Sequence, residues 1–113
     1  MTTKATTWSA ICSIDDIVPN TGICALVNER HVAVFHVEGG GPGLYAIDNI
    51  DPNTQASVLS RGLVGNLGER IVVASPLFKH HFDLRSGECL EVPGNSVTAY
   101  QVRVENSTVL VAV

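Results

Sequence analysis

Short apolar runs, each ended by turn-forming residues, are the feature that most limits how this chain can fold. Most of them alternate in side-chain character with a period of two, which is typical of short strands. The residues between them include Gly, Pro, Asn and Asp, which favour tight turns. The predicted strands are residues 8–12, 22–27, 32–37, 44–48, 71–74, 82–84, 89–92, 99–104 and 109–113.

Three pairs of these strands are predicted to form hairpins, at residues 22–37, 82–92 and 99–113. Residues 55–61 lack a period of two and are the one candidate for a short helix, which Gly62 or Gly65 would end. Seven to ten short strands with at most one short helix predict an all-β fold. We expect small antiparallel sheets stacked into a barrel-like sandwich.

Length and charge limit the possible partners. At 113 residues the chain is expected to form one domain, residues 1–113, with residues 1–7 as a flexible tail. The net charge of −4 argues against nucleic acid and against an anionic membrane surface. Because the chain has neither a membrane-length apolar run nor the apolar core of a signal peptide, we expect a cytoplasmic protein.

The three cysteines do not form a recognisable ligand set. Cys12, Cys24 and Cys89 are separated by spacings that match no metal-binding pattern. In a cytosolic protein we expect them to be reduced and buried as small apolar residues.

Two loops stand out because each directly follows an apolar strand. The first loop, residues 49–53, reads Asn-Ile-Asp-Pro-Asn, and the second loop, residues 75–83, reads Ser-Pro-Leu-Phe-Lys-His-His-Phe-Asp. This arrangement resembles Rieske ferredoxin domains, in which the loops carry Cys-x-His and Cys-x-x-His and hold a [2Fe–2S] cluster. The resemblance covers nearly the whole chain and implies the Rieske fold.

Other residues occupy the ligand positions of that family. On the resemblance, the first Cys–His pair falls on Asp51 and Asn53, and the second pair falls on Ser75 and Phe78. Because a Rieske cluster needs two thiolates and two imidazoles, these residues imply a domain without a cluster or another metal. Two roles stay open for Phe78: it could fill the space of the cluster, or it could be an exposed anchor for a partner.

A Rieske frame without its ligands is similar to the small subunits of cytoplasmic NADH-dependent nitrite reductases, most clearly in residues 49–52, 57–63 and 74–77. The resemblance implies a non-catalytic subunit of assimilatory nitrite reductase. The large partner subunit would carry FAD, an iron–sulfur cluster and sirohaem and would reduce nitrite to ammonia with NADH. This chain alone would have no activity and would bind no cofactor.

The tip formed by the two loops is the predicted docking face for that large subunit, since Rieske ferredoxins present this end to their redox partners. Apolar anchors within a polar rim are the usual anatomy of an interface. The candidate interface residues are Ile50, Pro52, Arg61, Leu77, Phe78, Lys79 and His80.

Other patterns give no site. His80 and His81 are adjacent, so their side chains would not converge on a metal if the strand starts there. The glycine-rich run at residues 39–43 lacks the features of a P-loop or of a dinucleotide fingerprint. Two alternatives stay open: a true Rieske [2Fe–2S] ferredoxin, and a stand-alone β-domain that binds peptides along a sheet edge.

Overall fold

The computed structural model describes residues 7–38, 43–77 and 79–113, and these residues form twelve short β-strands and three single-turn 3₁₀-helices. The 3₁₀-helices span Ile14–Asp16, Leu59–Arg61 and Pro93–Asn95. The strands are β1 (Trp8–Ser13), β2 (Thr21–Val27), β3 (Arg30–His36), β4 (Leu44–Asp48), β5 (Ile50–Asp51), β6 (Ala56–Ser57), β7 (Leu63–Leu67), β8 (Arg70–Ala74), β9 (His81–Asp83), β10 (Ala99–Tyr100), β11 (Val102–Glu105) and β12 (Thr108–Ala112). The predicted all-β fold of small antiparallel sheets is confirmed.

The strands of the described ranges pair in four antiparallel sheets, with the orders β1-β12-β11, β10-β4-β3-β2, β5-β6 and β7-β8-β9. The β2–β3 and β11–β12 hairpins each turn through two residues. Asn28 and Glu29 have φ angles of 48° and 66°, and Asn106 and Ser107 have φ angles of 50° and 65°. Two consecutive positive φ angles match the twist of an antiparallel pair, and asparagine tolerates the first position well.

Strand β3 lies between two apolar cores because its side chains alternate between the two faces of its sheet. Val32 and Val34 face a terminus-side core that also contains Ile17, Val27, Ala46, Val109 and Val111. Ala33 and Phe35 face a loop-side core, whose other buried members are Ile47, Leu59, Ile71, Val73, Phe82, Leu84 and Cys89. The loop-side core supports both loops, since it takes residues from the strands and turns next to them.

The prediction for the segment between the two loops was wrong. Residues 55–61 form β6 and a 3₁₀-helix instead of one short helix, because Gln55 has a φ of 61° and interrupts the turn. Gly62 ends that 3₁₀-helix, as expected. Strand β7 was not predicted; it contains Gly65 and Asn66, and its side chains are largely exposed, so it carries no apolar period.

Two predicted hairpins are also only partly correct. Residues 89–92 make a single bridge, Phe82 to Cys89, instead of a strand. The Glu91 side chain accepts the His81 N–H at 2.7 Å, and Pro93 follows, so the ladder cannot extend. Residues 99–104 divide into β10, which pairs with β4, and β11, which pairs with β12.

The cysteines differ in exposure. Cys89 is buried and Cys12 is half-buried, but Cys24 is exposed, so the expectation that all three are buried is wrong for Cys24. Burial, followed by the charge of Asp16, raises the pKa of the Cys12 thiol. The flexible tail expected at residues 1–7 lies, apart from Thr7, outside the described residues. In the described ranges, none of the helices has the length and apolar character needed to cross a membrane.

Candidate functional site

The first and second loops meet through Asp51 and Ser75, the residues that the resemblance places at the cysteine positions of Rieske domains. Asp51 and Ser75 are 0% and 1% exposed, and the Ser75 hydroxyl donates to Asp51 Oδ2 at 2.5 Å. These residues are 24 positions apart in sequence, at the end of β5 and directly after β8. A direct hydrogen bond therefore joins the first loop to the second loop.

The other oxygen of Asp51 organises its own loop. Asp51 Oδ1 accepts from the Asn53 backbone N–H at 2.8 Å and from Asn53 Nδ2 at 3.1 Å, which forms an Asx-turn. Asn53 Oδ1 in turn accepts from Asn95 Nδ2 at 2.6 Å. Both carboxylate oxygens of Asp51 thus have donors, as a buried charged group requires.

The second loop is closed by hydrogen bonds to Ser75. The Ser75 N–H donates to the His80 carbonyl and the Lys79 N–H donates to the Ser75 carbonyl, each at 2.9 Å. The Leu77 N–H approaches Ser75 Oγ at 3.4 Å. Lys79 has a φ of 59°, a left-handed conformation that is costly for a residue with a side chain. Phe78, the fourth ligand position, lies outside the described residues.

Asn49 is the residue whose importance the sequence did not reveal. It is 1% exposed, its N–H donates to the His31 carbonyl at 2.8 Å, and its carbonyl accepts from the N–H groups of Val58 and Leu59 at 3.0 Å each. Its side-chain partners are the Ser60 N–H at 2.6 Å, Ser57 Oγ at 2.7 Å and Cys24 Sγ at 3.3 Å. The one clue in the sequence was that Asn49 is a polar residue directly after a buried strand. In the structure, Asn49 connects the first loop to the following 3₁₀-helix.

The three described ligand positions do not fit a [2Fe–2S] cluster. Asp51, Asn53 and Ser75 offer neither thiolate nor imidazole, and their polar atoms are already engaged with each other and with Asn95. Among the residues that the structure describes, no three His, Cys, Asp or Glu side chains are grouped so that they could hold a metal ion. The loops of this chain are stabilised by hydrogen bonds of the protein itself.

The adjacent histidines do not act as a pair. His81 Nδ1 lies 2.6 Å from Glu91 Oε2, and its side chain is half-buried. Partial burial pushes the pKa of Glu91 upward, but the hydrogen bonds from the ring and backbone of His81 outweigh it and hold that pKa below its usual value. His80 is half-buried, and its carbonyl closes the second loop.

The predicted interface residues that are described lie around the two loops. Ile50 is 36% exposed and Leu77 is 50% exposed, while Pro52 and His80 are half-buried. Arg61 and Lys79 are exposed and line a groove of about 240 Å³ beside the second loop.

A family model described as a Rieske-like [2Fe-2S] domain matches residues 7–112. The nitrite reductase (NADH) small subunit of Escherichia coli K12 is 45% identical over 102 residues, which are 90% of this chain and 94% of that protein. The solution structure of the nitrite reductase [NAD(P)H] small subunit from Erwinia carotovora is 47% identical, with a TM-score of 0.78. It matches 94% of this chain and 81% of that one.

A longer protein contains a similar region. The nitrite reductase [NAD(P)H] large subunit of Klebsiella oxytoca is 42% identical over 104 residues, which are 92% of this chain but 11% of that protein.

Proposed function

The chain belongs to the Rieske-like [2Fe-2S] domain family and, within it, to the small subunits of NADH-dependent nitrite reductase. On this premise we propose that it is a cluster-free, non-catalytic subunit that binds the large subunit through the tip of its two loops. The large subunit would bind FAD, an iron–sulfur cluster and sirohaem and would reduce nitrite to ammonia with NADH. Cytoplasmic location and a role in nitrate assimilation belong to the same proposal.

The hydrogen bond between Asp51 and Ser75 is the observation that carries the cluster-free part of the proposal. A bound metal centre can contribute on the order of 10 kcal/mol to the folding of its site. Loops without that contribution need other support. Here the support is a hydrogen bond of 2.5 Å from the buried Ser75 hydroxyl to the buried Asp51 carboxylate. This arrangement disfavours the alternative of an electron-carrying ferredoxin, which needs a redox centre on this chain.

The Klebsiella oxytoca relative supports a physical association with the large subunit. That protein is named a large subunit, and a region similar to nearly the whole of this chain makes up 11% of it. A domain that shares a polypeptide with its partner in one organism is well placed to bind that partner as a separate chain in another. This also disfavours a stand-alone binding module.

Affinity capture of the tagged chain from cells grown on nitrite tests the proposal. We expect the wild-type chain to capture one large polypeptide with flavin and sirohaem absorbance. Capture without any such polypeptide would contradict the subunit assignment.

Two matched variants test the docking face. Ile50→Asp places a charge at the tip, where Ile50 is 36% exposed, and is expected to reduce capture. Val104→Asp is the control, because Val104 is 40% exposed and lies in the β1-β12-β11 sheet, which contains neither loop. Equal capture by both variants would exclude Ile50 from the contact.

A further inference from the structure

Arg61 and Lys79 are cations whose side chains find no partner in the described part of the chain, and they line the same groove. The other described cations are mostly engaged. Arg30 donates to Tyr100, Arg70 pairs with Glu88 and Asp83, and Arg103 pairs with Glu105 and lies over the Trp8 ring. Two unpaired cations at one groove create a local positive potential on a chain whose net charge is −4.

Apolar residues line the groove together with these cations. Leu63 pairs with Ala74 across the β7–β8 ladder and is 80% exposed. At Gly62 a Cβ atom would lie 2.3 Å from the Ala74 carbonyl, so the wall beside Arg61 is closely packed against β8. Pro76 also lines the groove, whose volume of about 240 Å³ is enough for one apolar side chain.

The backbone at Lys79 favours a role for its side chain. Its φ of 59° would suit glycine or asparagine, and lysine in this conformation has a conformational cost. Strained backbone at a surface loop is frequently associated with a functional position. Lys79, in this conformation, lines the groove together with Arg61.

We propose that this groove, lined by Arg61, Leu63, Pro76 and Lys79, binds an acidic segment of the large subunit. That segment would place an apolar side chain over Leu63 and carboxylates against the two cations. The inference rests on the proposed function and specifies the chemistry of the partner at one part of the tip. Charge complementarity supports an acidic occupant, because carboxylates are attracted to the two cations while the acidic remainder of the chain repels them.

To test this inference, the affinity of the purified small subunit for the separately purified large subunit is measured at low and at high salt. We expect Arg61→Glu and Lys79→Glu each to weaken binding about tenfold or more at low salt, and less at high salt because ions screen the charges. Arg85→Glu is the matched control: the Arg85 side chain has no ion pair among the described residues, it is exposed, and it is not one of the described residues that line the groove. It should bind as the wild type does.

Lys79→Gly separates binding from folding. Glycine relieves the left-handed conformation, so the melting temperature of the isolated chain should stay the same or rise while the affinity falls. Wild-type affinity in both glutamate variants, with intact binding of the unmodified chain, would overturn the groove assignment and leave the proposed function standing. A wild-type chain that does not bind the large subunit at all would overturn both.

Discussion

A carboxylate that is removed from water needs either a cation or several hydrogen-bond donors, and Asp51 has donors. It is 0% exposed and accepts from Ser75, from the Asn53 backbone and from the Asn53 side chain. A cluster in a Rieske domain holds its two loops to one inorganic core. In this chain the Ser75 hydroxyl and the Asp51 carboxylate join the two loops directly.

Removal of the Ser75 hydroxyl is expected to destabilise the fold. Ser75→Ala leaves Asp51 Oδ2 buried without its 2.5 Å donor, which should lower the free energy of unfolding by about 1–3 kcal/mol. Urea unfolding measures this. The control is Ser86→Ala, because Ser86 is exposed and only accepts the Glu88 N–H in a turn, so its loss should stay near 0.5 kcal/mol. Equal losses for both variants would show that the Asp51–Ser75 contact has no special role.

Phe82 connects the second loop to the loop-side core. It is 0% exposed within β9 and is a member of that core. Phe82→Ala should cost about 3–5 kcal/mol of unfolding free energy, as for other large aromatic truncations. Leu26→Ala, at a residue that is 70% exposed, should change it by no more than about 0.5 kcal/mol. A cost under about 1 kcal/mol for Phe82→Ala would place Phe82 outside the core that stabilises the fold.

Strand β7 is the element for which the sequence contained least information. It lies at the edge of its sheet, and its Gly65 and Asn66 carry no apolar period. By contrast, β2 and β3 were predicted because apolar residues flank the turn residues Asn28 and Glu29. Apolar side chains that become buried are the physical signal of a strand in sequence, so exposed edge strands are detected poorly.

The turn after β9 depends on close backbone packing at Gly87. Its φ is 81°, and a Cβ there would lie 2.0 Å from the Val97 carbonyl, whereas Gly68 has a φ of 62° and open space around it. Gly68→Ala therefore measures only the cost of the left-handed conformation, which should lower the free energy of unfolding by about 1 kcal/mol. Gly87→Ala should cost about 1–3 kcal/mol more because the backbone must move. Equal melting temperatures for the two variants would refute this close approach.

At the scale of the whole molecule, the fold class and both loops could be predicted from sequence, but the contacts within the site could not. Turn residues and alternation of side chains defined most strands. The correspondence of Asp51 and Ser75 to ligand positions came from the resemblance to Rieske domains. Their hydrogen bond spans 24 residues, and the network of Asn49 reaches three separate segments. Such long-range pairing depends on how the sheets pack, which local patterns do not encode.

The arrangement of the molecule is consistent with the proposed docking surface at the tip. Residues next to the loops belong to the loop-side core, and hydrogen bonds to Asn49, Asp51 and Ser75 fix the loop backbone. A rigid backbone reduces the entropy lost on association, which would favour the proposed binding of a partner there.

The iron and acid-labile sulfide content of the isolated chain, measured after reconstitution with both, tests the central claim most directly. A [2Fe–2S] cluster would give about two irons and two sulfides per chain, together with visible absorbance. We expect neither in stoichiometric amount, whereas a Rieske ferredoxin reconstituted in parallel should contain both. Stoichiometric iron and sulfide in this chain would contradict the account, because Asp51 and Ser75 could then not be joined as described.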